Sequence, residues 1–219
     1  MKKKVYTPKD PRKRAKGAIV GAVLHMVAVA ILGGLTILHL TKLTGAGEDL
    51  IDGMAAGFAP YLVPYGLAAI GYFVSLIAYL VLFLMWVHRT NRNAQTLSTG
   101  IEVRPGWAVG WFFIPFASLY KPFQGLDQTW RVSIDPSRWR VLDTPSLLRW
   151  WWGFHLTSNI TGSLSNMVGK SEGSAVMAAS TLIAIISFIA TFAAAGLAIR
   201  MIRQLTAVQT SSLEAAAFT

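Results

Sequence analysis

The sequence predicts an all-α integral membrane protein, a bundle of four transmembrane helices with an additional interfacial or re-entrant segment rich in tryptophan and proline. Of the 219 residues, 53% are hydrophobic and only 14% are charged, whereas about a quarter of the residues in a soluble domain are charged. The hydrophobic residues also form charge-free runs long enough for a membrane span, which takes about 20 residues of helix. These two observations exclude a disordered chain and an ordinary soluble enzyme.

A basic tail, residues 1–17, precedes the first hydrophobic run. The tail holds eight basic residues against the single acid Asp10. Basic residues beside a span stay on the cytoplasmic side and bind anionic headgroups. No base-reading motif accompanies them, so we expect anionic phospholipids as partners and no nucleic acid. The run that follows, residues 18–40, exceeds the roughly 7–15 apolar residues of a signal peptide, and we expect a retained anchor.

Three further runs complete the predicted bundle. Residues 65–87 and 175–199 carry no formal charge and are long enough to cross a hydrocarbon core of about 30 Å. Residues 147–168 are more polar, but Arg149 lies near the end of this run, where its long side chain reaches the interface. We therefore predict spans at residues 18–40, 65–87, 147–168 and 175–199.

The charges of the connecting segments predict the topology. The tail, residues 88–146 and residues 200–219 each carry a net positive charge, whereas residues 41–64 hold one lysine against three acids. By the positive-inside rule, four spans then place every positive segment in the cytoplasm. We expect a single membrane domain at residues 18–199 between two cytoplasmic tails, 1–17 and 200–219, in the inner membrane of a bacterium.

The segment at residues 105–134 is irregular. Residues 107–123 are apolar but short, and Pro115 and Pro122 interrupt them. Proline breaks the hydrogen bonding that a lipid-facing span requires, which favours an interfacial or re-entrant segment; a fifth span is the alternative. Residues 121–134 read as an amphipathic helix with its apolar face on the inner leaflet. A tryptophan belt at the headgroups is expected, formed by Trp86, Trp107, Trp111, Trp130, Trp139, Trp150, Trp151 and Trp152.

Three stretches carry a resemblance to a known family. They are MWVHRTNRNAQTL at residues 85–97, RPGWAVGWFFIPFASLYKPFQGLDQTWRVS at residues 104–133 and LLRWWWGFHLTSNITG at residues 147–162. Together they resemble the bacterial membrane proteins grouped as domain of unknown function forty-three twenty-eight. Ala117-Ser118 departs from the pattern, which has an asparagine near this point. The resemblance implies a bacterial integral membrane protein and supplies no mechanism.

Polar residues form two stripes within the predicted spans. At 100° per residue, His25, Thr36 and His39 share one face of the first span. His155, Asn159, Ser163 and Asn166 share one face of the third span. Polar groups at bilayer depth normally face the bundle interior, so we expect both stripes to face inward, either as packing contacts or as a functional site. His25 and His155 are also candidate axial ligands of a cofactor, haem b.

Basic residues surround the start of the irregular segment. Arginine side chains bind phosphate through two parallel hydrogen bonds, so a lipid or anion site is predicted here. The alternative is that these charges set topology and form salt bridges to Asp127 or Asp135. The candidate lipid- and anion-binding residues are His88, Arg89, Arg92, Arg104, Trp107, Trp111 and Trp130.

No enzyme motif occurs in the sequence. A P-loop, a dinucleotide-binding glycine motif and an H-E-x-x-H zinc motif are all missing, and the chain has no cysteine. We therefore expect no catalytic residue and no metal site. The leading hypothesis is a non-enzymatic, lipid-interacting protein or an accessory subunit or scaffold of a membrane complex, with other subunits or a second copy as partners. The alternative is a small redox or transport component that uses the two polar stripes.

Overall fold

The structure is a computed structural model that describes residues 6–45, 50–168 and 174–217, without the side chains of residues 37, 39–45, 50–62, 174, 175, 177 and 178. The described residues form helices and no strand, which confirms the predicted all-α class. The helices are α1 (Arg12–Gly45), α2 (Leu50–Leu97), α3 (Pro105–Gly110), α4 (Lys121–Ile134), α5 (Ser146–Val168) and α6 (Ser174–Ala217). Two 3₁₀ turns, Trp111–Phe113 and Ala117–Leu119, lie between α3 and α4.

Three of these helices are long and apolar enough to cross a membrane. They are α1, α2 and α6, which correspond to the predicted spans at residues 18–40, 65–87 and 175–199. The helices have 34, 48 and 44 residues, and at about 1.5 Å per residue they measure roughly 50–70 Å. Since the hydrocarbon core is only about 30 Å thick, α2 and α6 extend well beyond the predicted spans.

The fourth predicted span forms a continuous helix, whereas the alternative fifth span does not. Helix α5 has 23 residues and coincides with the run at residues 147–168, but it is not among the described helices that are apolar enough to span. Its crossing therefore stays a prediction. Residues 107–123 form the end of the six-residue α3, two 3₁₀ turns and the start of α4. A fifth span needs a continuous helix, and these residues do not form one.

The chain divides into two units, and the smaller is Val20–Leu82. In this unit α1 and α2 pack side by side in antiparallel directions, with Gly21 beside Tyr79 and His25 beside Ser75. A Cβ added at Gly21 would lie 3.1 Å from the Cα of Tyr79. The missing side chain of this glycine lets the two backbones approach, as small residues do in membrane helix pairs.

The second unit is Met1–Ile19 with Phe83–Thr219. Here α5 and α6 form an antiparallel pair: the Ser187 hydroxyl donates to the carbonyl of Ser158 at 3.0 Å, and the Ser165 hydroxyl donates to the carbonyl of Ser180 at 3.1 Å. Helix α4 packs against the later part of α6 and against α3. We call residues 6–19, 83–152 and 194–217 the cap region, and residues 153–168 and 174–193 the hairpin region. The division into units does not test the predicted domain boundaries.

Candidate lipid- and anion-binding site

The interior of the cap region is polar. Gln209 of α6 is fully buried, and its amide oxygen accepts a hydrogen bond from Asn93 of α2 at 3.1 Å. Its amide nitrogen donates to the carbonyl of Thr90 at 2.9 Å and to the hydroxyl of Ser133 at 3.1 Å. One glutamine thus joins α2, α4 and α6. The indole of Trp86 adds a hydrogen bond to Thr206 at 3.0 Å. We call this set the polar core: Trp86, Thr90, Asn93, Ser133, Thr206 and Gln209.

The N-terminal segment is held against the end of α2. The side chain of Asn93 accepts a hydrogen bond from the backbone N–H of Lys9 at 3.1 Å and donates to the carbonyl of Lys9 at 2.8 Å. Arg12 forms an ion pair with Glu214, near the end of α6, at 3.0 Å. Residues near both ends of the chain therefore meet at the C-terminal end of α2.

Helix α4 forms at the predicted residues but packs differently from the prediction. Its bounds, Lys121–Ile134, match residues 121–134, and Pro122 lies in its first turn, where proline is well tolerated. Leu126 and Trp130, however, are only 1% and 3% exposed. The interpretation of this apolar face as lipid contact is wrong for these two residues, and Trp130 is no longer a lipid-binding candidate. An amphipathic pattern identifies an apolar face but does not say whether lipid or protein covers it.

The tryptophans divide into buried and exposed groups. Trp107 and Trp150 are 49% and 65% exposed, and Trp107 stacks on the half-buried Trp111 with ring centroids 4.5 Å apart. The expected headgroup belt is wrong for the five buried tryptophans, which contact protein. The buried tryptophans are Trp86, Trp130, Trp139, Trp151 and Trp152.

An exposed aromatic loop, which contains the second 3₁₀ turn, connects the first 3₁₀ turn to α4. Phe116 has φ 62° and ψ −45°, and the Ala117 N–H donates to the carbonyl of Pro115 at 2.7 Å. This hydrogen bond across one residue is a γ-turn with positive φ, a rare and strained conformation. The turn leaves Phe116 89% exposed. We call residues 113–120 the aromatic loop, and its exposed large side chains are Phe113, Ile114, Phe116, Leu119 and Tyr120.

Three of the predicted basic residues come together at the cap end of α2. The charges of Arg14, Arg89 and Arg92 all act on the imidazole of His88, and those of Arg14 and Arg92 also act on Arg89. The guanidinium of Arg14 donates to the carbonyl of Met85 at 3.1 Å. We call Arg14, His88, Arg89 and Arg92 the cation cluster. Sequence reasoning counted Arg14 only as part of the basic tail.

Arg104, the fourth predicted basic residue, lies at the start of α3 and not on α2. It is exposed and precedes the first turn of α3, where its carbonyl accepts a hydrogen bond from Ala108 at 2.8 Å. In the described part of the chain, Arg104 forms no hydrogen bond or ion pair with a residue of the cation cluster. Arg104 thus directly precedes α3, Trp107 lies within it and Trp111 directly follows it.

The acids proposed as alternative partners of these cations have other partners. Asp127 forms an ion pair with Arg131 at 2.6 Å within α4. The side chain and the backbone N–H of Ser137, with the N–H of Arg138, donate to Asp135. The hydrogen bond from the Ser137 hydroxyl is the main reason that the pKa of Asp135 lies below its usual value. Among the described residues, neither acid forms a salt bridge to the cation cluster.

The polar candidates of α1 make contacts within their own unit. The Nδ1 atom of His25 lies 3.1 Å from the hydroxyl of Ser75, and the imidazole packs against the rings of Tyr72 and Tyr79. The Thr36 hydroxyl donates to the carbonyl one turn earlier in the same helix. The side chain of His39 lies outside the described residues.

The polar stripe of α5 is mostly exposed. His155 stacks on Trp151, with ring centroids 5.5 Å apart. Asn159, Ser163 and Asn166 are exposed, and each donates to a carbonyl one turn earlier in its own helix. The prediction that these three face the bundle interior is therefore wrong in the single chain. Because His25 and His155 belong to different units, their pairing as haem ligands stays a prediction.

No curated protein and no solved structure matches this chain. The sequence model of one family, described as Domain of unknown function (DUF4328), matches residues 58–207. The match includes most of α2, the whole irregular segment, α5 and most of α6, and therefore all three stretches that carry the resemblance. It covers more than half of the 219 residues. The chain belongs to the DUF4328 family.

Proposed function

We propose that this protein is a non-enzymatic, multi-pass protein of the bacterial inner membrane whose cap region binds lipid at the cytoplasmic surface. The observation that carries the proposal is the aromatic loop. Its γ-turn holds Phe116 in a strained conformation and points it away from the cap interior. Backbone strain of this kind persists where the surrounding structure enforces it, often at binding sites.

Exposure of the loop to lipid fits its composition. Burial of one large apolar side chain contributes about 1.5–3 kcal/mol, and Phe113, Phe116 and Tyr120 are 63%, 89% and 58% exposed within the chain. Contact with the acyl chains and headgroups of the inner leaflet would cover these side chains. The exposed Trp107 and the basic Arg104 on α3 are the residue types that favour the headgroup level.

Contacts within the cap region support the cytoplasmic placement of both tails. Lys9 bonds to Asn93, and Arg12 pairs with Glu214. If α1, α2, α5 and α6 each cross once, these contacts require the start of α1, the end of α2 and the end of α6 to lie on one membrane face. That face is the cytoplasmic one by the positive-inside rule.

A fluorescent label at the aromatic loop tests the proposal. The chain has no cysteine, so a Phe116→Cys variant carries one unique label when an environment-sensitive fluorophore is attached. In vesicles we expect blue-shifted emission and quenching by lipids with brominated acyl chains. Arg138→Cys, at an exposed position of the same region, is the matched control and should report water. Emission typical of water at residue 116 would contradict the proposed lipid contact.

A second candidate function, an accessory subunit that pairs with a second copy, is favoured by the exposed stripe of α5. Asparagine both donates and accepts hydrogen bonds, so identical stripes complement each other across a two-fold axis. Asn159→Cys should then form an oxidative cross-link between copies in the membrane, whereas Leu164→Cys, about 140° away on the helix, should not. Equal cross-linking at the two positions would reject this candidate.

A further inference from the structure

Among the described residues, the cation cluster contains a buried guanidinium nitrogen that has no hydrogen-bond partner. Arg89 is only 9% exposed, and its Nη1 atom is buried without a hydrogen-bond acceptor among the described residues. The Nε atom of the half-buried Arg92 is buried in the same way. A buried donor atom of a charged group that has no hydrogen-bond acceptor is unfavourable. The cluster is thus incomplete in the single chain.

The acids of the cap region do not neutralise the cluster. Within the described residues the ion pairs join Arg12 to Asp10 and Glu214, and Arg131 to Asp127. Arg131 also donates to two backbone carbonyls of the loop that follows α4. The neighbours that act electrostatically on Arg89 are Arg14 and Arg92, which are both positive. An anion that is not part of the chain would therefore supply the negative charge that this site lacks.

The positions of these side chains favour a phosphate group as that anion. Arg89 and Arg92 are three residues apart and thus neighbours on the helix surface. Arg92 is further held by the ring of Tyr6, 5.3 Å from its guanidinium carbon. Guanidinium groups donate two parallel hydrogen bonds to phosphate oxygens, which the ammonium group of lysine cannot reproduce. Met85, one turn before Arg89, is 41% exposed and offers apolar surface beside the charges.

We propose that Arg14, His88, Arg89 and Arg92 form a binding site for a phosphate group. Arg89 donates hydrogen bonds from the buried side of the site, Arg92 and Arg14 neutralise the charge, and Met85 contacts the apolar part of a lipid ligand. The inference rests on the proposed function only for the source of the phosphate, a lipid headgroup; the site itself would also fit a free phosphate ion.

Thermal unfolding of the full-length protein in neutral detergent tests the site. The delipidated protein is titrated with dihexanoylphosphatidylglycerol, with dihexanoylglycerol, which lacks the phosphate, and with inorganic phosphate at constant ionic strength. We expect saturable stabilisation by the phosphatidylglycerol and none by the dihexanoylglycerol. Stabilisation by phosphatidylglycerol alone identifies a lipid headgroup site, and stabilisation by inorganic phosphate as well identifies a site that accepts the free ion.

Variants assign the effect to the cluster. Arg92→Gln, at a half-buried position that tolerates substitution better than Arg89, should weaken the apparent affinity about tenfold. Arg89→Lys keeps the charge but loses the planar guanidinium, and should weaken binding by a similar factor. Arg203→Gln, at an exposed position of α6, is the matched control and should bind as the parent does. The absence of stabilisation by any phosphate-containing probe, or equal affinity in parent and Arg92→Gln, would overturn the inference.

Failure of this inference is distinguishable from failure of the proposed function. If phosphatidylglycerol binding depends on Arg92 while a label at residue 116 reports water, the phosphate site stands and the lipid contact of the aromatic loop falls. If phosphatidylglycerol binding does not depend on Arg92 while the label at residue 116 reports lipid, the phosphate site is rejected and the lipid contact of the aromatic loop is supported.

Discussion

The cap and hairpin regions of the second unit differ in where their amide side chains lie. In the cap region Asn93 and Gln209 are completely buried and hydrogen-bonded to residues of other segments. In the hairpin region Asn159 and Asn166 are exposed, and their amides bond to their own helix. The same residue type thus contributes to tertiary structure in one region and only to its own helix in the other.

This difference indicates what stabilises each region. Hydrogen bonds of the polar core join three helices in the cap region, and a buried polar group that loses its partner is costly. In the hairpin region small residues let the helices approach: Ala190 is buried, and Gly162 faces Ser187. Close packing and the interhelical hydrogen bonds of Ser165 and Ser187 therefore join the two helices.

The largest expected effect is the loss of the central amide of the polar core. Gln209→Leu keeps the approximate volume but leaves Asn93, Ser133 and the carbonyl of Thr90 each without one partner. We expect a loss of about 3 kcal/mol in the free energy of unfolding. Thermal unfolding in detergent should show a Tm lower by about 6–12 °C.

The matched control removes an amide from the hairpin region. Asn159→Leu loses an exposed side chain that bonds only within α5, and its effect should stay within about 0.5 kcal/mol. Equal destabilisation by Gln209→Leu and Asn159→Leu would contradict the distinction between the two regions.

A bulky residue at the helix contact tests the packing of the hairpin region. A Cβ at Gly162 would lie 3.2 Å from the hydroxyl of Ser187, which bonds to the carbonyl of Ser158. Gly162→Ile should therefore separate α5 and α6 and cost about 2 kcal/mol, measured as a lower Tm. Gly153→Ile, at a position with no atom within 4 Å of the added Cβ, should not reduce the Tm. If the two variants unfold at the same temperature, close packing does not stabilise this region.

The smallest expected effect concerns the exposed turn after α4. Hydrogen bonds from Ser137 and the N–H of Arg138 lower the pKa of Asp135 in the folded state. Its contribution to stability is therefore complete above the pKa of the unfolded chain, near 4, and is lost as the pH falls through the lower folded value. Asp135→Asn should thus reduce the Tm slightly at pH 7 and less at pH 3. A larger reduction at pH 3 would contradict this assignment.

Hydropathy predicted the helical class and the positions of three long apolar helices, because both follow from local composition. It did not predict that α2 and α6 continue to Leu97 and Ala217. The apolar runs end earlier, and the helices continue as polar segments whose packing depends on distant residues. A stripe of polar residues at helical spacing, Thr206 with Gln209, was the available signal for the polar core.

The environment of a predicted face was harder to predict than the face itself. The amphipathic helix at residues 121–134 and the clustering of His88, Arg89 and Arg92 follow from spacing along one helix. Whether lipid or protein covers Trp130, and whether Arg14 joins those cations, depends on how segments far apart in sequence fold together. Periodicity carries no such information, and the lipid assignment of Trp130 was wrong for this reason.

The most direct test of the account asks whether the first and last segments of the cap region, residues 6–19 and 194–217, lie on the same side of the membrane. Lys13→Cys and Arg203→Cys each introduce one cysteine at an exposed position, and a membrane-impermeant maleimide is applied to sealed vesicles of known orientation. With four crossings, both cysteines react only when the cytoplasmic face is accessible. Reaction of the two cysteines from opposite faces would contradict the shared cap region, and with it the proposed lipid contact at that surface.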